Sequence, residues 1–150
     1  MNKSRRSRCR GGSALEMALM LPWLAFLFVG AFDWGYYAHA LISTEDAARV
    51  AGTYAATATS TATDTTNVCL FALEELRIVP NISSSTTSCN GSPVSVTAAL
   101  LNSTTTPTSA DGQNAAQVSV TYTTLQLIPI PGLLQKQATF NRIVQMRLRN

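Results

Sequence analysis

Met17–Phe32 reads MALMLPWLAFLFVGAF, a run without a single charge, and it decides the architecture. Extended back to Gly12 it becomes 21 residues. As helix, at about 1.5 Å per residue, that is enough to span a hydrocarbon core of about 30 Å. A single crossing is therefore expected, with Asp33 marking the exit from lipid and the rings of Trp34, Tyr36 and Tyr37 at the outer headgroup layer. Pro22 within the span is tolerable and bends the helix gently.

Charge gives the orientation. The formal net charge is +3, but Lys3, Arg5, Arg6, Arg8 and Arg10 all precede Gly11, leaving six basic residues against eight acids, a net −2. A basic cluster directly before an apolar span resists translocation, so the N-terminus is expected in the cytoplasm and the remainder outside it. Once the leader is set apart, the remainder is net acidic and the hint of a nucleic-acid partner is gone. The cysteines divide in the same way, Cys9 in the leader and Cys69 and Cys89 beyond the span. In an oxidising compartment Cys69 and Cys89 are permitted to pair, closing a Ser/Thr-rich loop and stabilising by about 3 kcal/mol. Two unpaired buried thiols are the alternative; a zinc site is a poorer fit, because no CxxC or second ligand pair accompanies them.

The organisation that follows is a leader over 1–11, a transmembrane helix over 12–33, a helical extension over 34–57 and an α+β domain over 58–150. In the extension, Tyr37, Leu41, Ala48, Ala51 and Ala55 recur at helical steps, and Glu45 and Arg49 are spaced to pair on the wetter side. This narrow stripe of small residues suits either packing on the chain's own domain or the close approach of a partner helix. Thr57–Thr66 reads as a linker or frayed helix end. A second helix is expected from an Asp64 N-cap to about Arg77, with Val68, Phe71, Leu73 and Leu76 on its apolar face and Pro80 stopping it. Polar loops over Ser83–Ser92 and Asn102–Gly112 separate β-type runs at Val94–Leu101, Ala116–Ile128 and Gln137–Arg149, with Pro129, Pro131 and Gly132 breaking the chain before the last. The fold class is α+β: a long N-terminal membrane helix entering a small domain in which a second helix packs on a three- to four-stranded antiparallel sheet.

The residues with chemical content are Gly11, Gly12 and Glu16, a pair of glycines after a basic leader and a carboxylate at the start of the apolar helix. With its flanks, Arg10-Gly-Gly-Ser-Ala-Leu-Glu-Met-Ala-Leu-Met-Leu-Pro22, and with Gly30, Asp33, Gly35, Ala47, Ala48 and Arg49 beyond, the segment resembles the TadE-like family of pilus-assembly pseudopilins. The resemblance covers Arg10 to Ala56; Val118–Tyr122 and Leu127–Gly132 are similar with less specificity. It implies that a membrane-embedded prepilin peptidase cuts after Gly11, which would make Gly12 the new N-terminus and Glu16 the fifth residue. A cut after Gly12 is the nearby alternative. An ionised carboxylate drawn into lipid costs about 3 kcal/mol unless partnered, and a freed α-amino group is such a partner. Without that resemblance, Glu16 would read as an interfacial carboxylate favoured by the helix dipole.

A competing reading of the N-terminus is a secretory signal cleaved at Ala38-His39-Ala40, although Asp33 and eight residues separate the apolar core from that site. Catalysis is not expected. His39 is the only histidine, Glu74 and Glu75 adjoin on a helix and point apart, and no phosphate loop or metal cluster is present in the sequence. No cofactor is expected. Asn81, Asn90 and Asn102 each begin an N-x-S/T pattern, read here as loop positions. The resemblance implies as partners the prepilin peptidase, other pilins or pseudopilins, and inner-membrane pilus assembly proteins. The rival function is a secreted or signal-anchored binding module with no pilus role.

Overall fold

The apolar run and the stripe behind it form one helix in the computed structural model, which describes residues 12–102, 109, 112–125 and 137–149. Helix α1 spans Gly12–Ala55 with Pro22 inside it. The chain divides into two compact units, residues 1–35 and 36–150. In the first, α1 carries large apolar side chains from Leu15 to Phe32, its leucines, methionines, phenylalanines and Trp23 each more than half exposed, and none of the described residues buries them. Among the described residues it is the one helix long and apolar enough to cross a membrane. Gly11 and the basic leader lie outside the described residues, as do Pro129, Pro131 and Gly132.

The second unit is built on the C-terminal part of α1. A 3-10 turn at Thr61–Thr63, helix α2 at Thr65–Leu76, and strands β1 (Val94–Leu101), β2 (Ala115–Thr123) and β3 (Thr139–Arg147) follow. The sheet is antiparallel in the order β1-β2-β3, with Val96 opposite Val120 and Val120 opposite Arg142. Alternation along β2 sends Val118, Val120 and Tyr122 inward, all fully buried. They join Val68, Leu73 and Leu76 of α2 and Ala47, Ala48, Ala51 and Ala55 of α1 in one core.

That core settles what the small-residue stripe does: Ala48, Ala51 and Ala55 are wholly buried in the chain's own domain, with Tyr37 and Leu41 half-buried along the same helix. Gly52 approaches β3 closely: a Cβ there would stand 3.3 Å from Val144 Cγ1 and 3.4 Å from Met146 Cε. On the exposed side Arg49 Nη2 pairs with Glu45 Oε1 at 2.6 Å, a surface pair of little energetic weight.

Several boundaries differ from the sequence expectation. The Thr57–Thr66 stretch is folded: the Thr61 hydroxyl donates to Ala58 O (2.8 Å) and accepts from Ala58 N–H (2.9 Å), and Ala62 is buried. Asp64 caps α2, its Oδ1 accepting from Asn67 N–H at 3.1 Å and its Oδ2 from the Asn67 amide at 2.6 Å. Those bonds, the side-chain one foremost, hold its carboxyl below the ordinary value of 3.8. On α2 the buried face is Val68, Cys69, Ala72, Leu73 and Leu76. Phe71 is at its margin, 43% exposed, with its ring 4.6 Å from that of Tyr54. β2 ends at Thr123 and β3 begins at Thr139, because Thr124 closes the ladder: its N–H donates to Ala138 O (2.9 Å) and its hydroxyl accepts from Ala138 N–H (3.1 Å).

Candidate functional site

The site residues singled out from sequence fall into separate groups. Gly12 opens α1, exposed and with open space around it. Glu16 lies just past the first turn, also exposed, and shares a shallow groove with Leu19, Met20 and Trp23, its neighbours at i+3, i+4 and i+7. Pro22 lacks the N–H that would bond to Ala18 O, and it lines a second groove with Leu19, Trp23 and Phe26.

Asp33 is 17 residues further along the helix from Glu16, about 25 Å by helical rise. Glu16 and Asp33 are therefore not brought together. Asp33 is only 3% exposed, and its Oδ1 has no hydrogen-bond partner. Sequence placed this residue at the lipid exit; its burial carries no signal in the linear pattern.

Cys69, on α2, and Cys89, in the loop before β1, are bonded, with sulfurs 1.99 Å apart and Cα atoms 5.8 Å apart. Both are buried. The bridge ties α2 to the polar loop that precedes the sheet. Among the described residues, no group of three or more His, Cys, Asp or Glu side chains is gathered as a metal site. His39 is exposed on α1.

One polar arrangement was not foreseen. The hydroxyl of the fully buried Tyr122 donates to Asn81 Oδ1, and the Asn81 amide donates to Thr123 O at 2.8 Å. Burial, and then the neighbouring Tyr36 hydroxyl, push the Tyr122 phenol well above its ordinary value of 10.0. Asn81 thus ties the chain leaving α2 to the end of β2. The available signal was Asn81 directly after Pro80, which reads as a turn but does not reveal a partner 41 positions away.

The N-terminal unit presents an apolar helix whose large side chains are exposed, with one carboxylate near its start. Residues 11–53 match the family model of TadE-like proteins, so this segment is TadE-like in sequence. Comparison with curated proteins and with solved structures gave no match.

Proposed function

We propose that the TadE-like segment, residues 11–53, makes this chain a minor pseudopilin-like component of a tight-adherence pilus system. The family suggests involvement in tight-adherence pilus assembly. The observation that carries the finer reading is the uncovered helix from Gly12 with Glu16 near its start, preceded in sequence by five basic residues. In this reading a prepilin peptidase removes the leader after Gly11. The new α-amino group, on this or a neighbouring subunit, then neutralises Glu16 inside the bilayer. The helix anchors the chain in the inner membrane, N-terminus inward, while residues 36–150 form a periplasmic domain that meets other pilins or pseudopilins and the inner-membrane assembly proteins. The role is structural and involves no catalysis.

Two features support this reading over a cleaved secretory signal. Helix α1 runs unbroken through Ala38-His39-Ala40, where a signal peptidase would need extended backbone. The disulfide between Cys69 and Cys89 suits an oxidising compartment.

Intact-mass analysis of the protein recovered from membranes is the direct test. A mature chain beginning at Gly12 is expected, and Gly11→Val should leave the full-length form accumulating. Glu16→Ala should still be cleaved yet assemble poorly. Unchanged processing of Gly11→Val would remove the peptidase from the account, and normal piliation with Glu16→Ala would remove the carboxylate.

A further inference from the structure

The outer edge of β3 is left unexplained by the anchor and the disulfide. Two bonds fix which groups it presents: Thr124 N–H to Ala138 O (2.9 Å) and Leu148 N–H to Asn114 O (3.2 Å). Even-numbered residues along β3 therefore exchange backbone bonds with β2, and in an antiparallel ladder the alternate residues face the other way. Thr139, Asn141, Ile143 and Gln145 aim their N–H and C=O groups outward. Among the described residues no strand lies beyond β3. Edges are commonly blunted by shortness, a bulge, a proline or an inward charge; β3 has nine residues, pairs continuously with β2 and contains no proline, and the one such device on its inner face is the charge of Arg142.

The side chains repeat the same incompleteness. Val118, Val120 and Tyr122 of β2 are fully buried, whereas Phe140, Arg142, Val144 and Met146, on the same face of β3, are only half-buried. Arg142 Nε is enclosed and has no hydrogen-bond partner. The ion pairs among the described residues, Arg49 with Glu45 and Arg77 with Glu74, do not involve it. An enclosed donor on a permanently charged group is costly without an acceptor.

We propose that the β3 edge is a docking site for an extended segment of a partner protein that carries Asp or Glu opposite Arg142. A strand laid antiparallel on the outward groups would place its residue opposite Arg142 in a non-hydrogen-bonded pair. In such pairs the Cα atoms are closest, about 4.5 Å, and the side chains meet. A carboxylate there meets the half-buried guanidinium of Arg142, and apolar residues two places to either side cover Phe140 and Val144. A second copy of this chain fits less well. Pairing centred on Ile143 would set Arg142 of each copy against Val144 of the other and enclose two guanidinium groups without an anion. An inward charge on an edge works against that kind of pairing. The proposal stands apart from the pilus reading, since it concerns the edge whatever the chain assembles with.

The test uses the full-length protein in detergent micelles and a fluorescein-labelled nine-residue peptide of alternating Thr and Val, with Glu at its central Val position, beside its Gln analogue. Fluorescence anisotropy should show the Glu peptide binding about tenfold tighter than the Gln peptide. Arg142→Gln should erase that difference, and Arg142→Lys should keep part of it. Ile143→Pro removes an outward N–H while sparing the ladder to β2, so it should weaken both peptides. Equal affinity for the two peptides, or binding of neither, would overturn the proposal. So would efficient oxidative cross-linking of Ile143→Cys, made together with Cys9→Ser, into dimers, which would assign the edge to a second copy.

Discussion

Replacing Gly52 probes the seam on which the domain depends. A Cβ there would meet Val144 Cγ1 at 3.3 Å, Met146 Cε at 3.4 Å and Met146 Sδ at 3.5 Å. In Gly52→Ala the single methyl asks for a few tenths of an ångström from Val144, while the flexible thioether of Met146 swings aside. Against that small cost, alanine gains about 1 kcal/mol of helix propensity over glycine, so the variant should lie within about 1 kcal/mol of the parent. Gly52→Val is different in kind. Its two γ carbons must enter the same seam, an overpacking that costs about 1–3 kcal/mol, with only a few tenths returned by propensity. A net loss of about 2 kcal/mol should lower the melting temperature by about 10 °C in a domain of this size. Thermal unfolding of the full chain in detergent micelles, followed by circular dichroism with the disulfide intact, measures both variants. A valine variant melting together with the alanine variant and the parent would refute the reasoning, because it would mean that α1 and β3 do not approach as closely as described.

Two further substitutions test the rest of the domain. Cys69→Ala combined with Cys89→Ala opens a loop whose ends are 20 positions apart, and should lower stability by about 3 kcal/mol in urea titrations; an unchanged midpoint would show that the bridge does not restrain the unfolded chain. Tyr122→Phe leaves Asn81 Oδ1 without its donor and should cost about 1 kcal/mol at neutral pH. Because the folded state holds the Tyr122 proton above the ordinary value of 10.0, its contribution is fully present below pH 10 and declines as the pH rises past it, where only the unfolded chain releases the proton. Urea titrations from pH 8 to 11 should show that decline in the parent and a flatter profile in Tyr122→Phe.

Long apolar periodicity and turn chemistry were the legible parts of this chain. The uncovered helix, the Asp64 cap, the Glu45–Arg49 pair and the bounds of β1 at Val94–Leu101 all follow from local pattern. The ends of β2 and β3 do not, since they are set by the bonds between Thr124 and Ala138, which join positions 14 apart. The small-residue stripe was ambiguous because alanines and glycines every three or four residues admit any close neighbour, a partner helix or the chain's own sheet. Only the approach of Val144 and Met146 to Gly52 decides it. Within the candidate site, Gly12, Glu16 and Pro22 were visible as a motif. The burial of Asp33 was not, because position along a helix says nothing of what surrounds it.

The backbone bond from Arg149 N–H to Ala56 O, 3.0 Å long, fastens the last described residue to the turn directly after α1, the helix that precedes every other element. Contacts this distant in sequence cannot form until the later partner has been made, and topologies that rely on them fold slowly. β3 therefore adds to a β1-β2 pair made before it, and the outer side of β2 stays open until Thr139–Arg147 has emerged. Over that interval the open side of β2 is vulnerable to proteases and to chance association, and loss of Leu148 and Arg149 would remove the bonds to Asn114 and Ala56 that finish the closure.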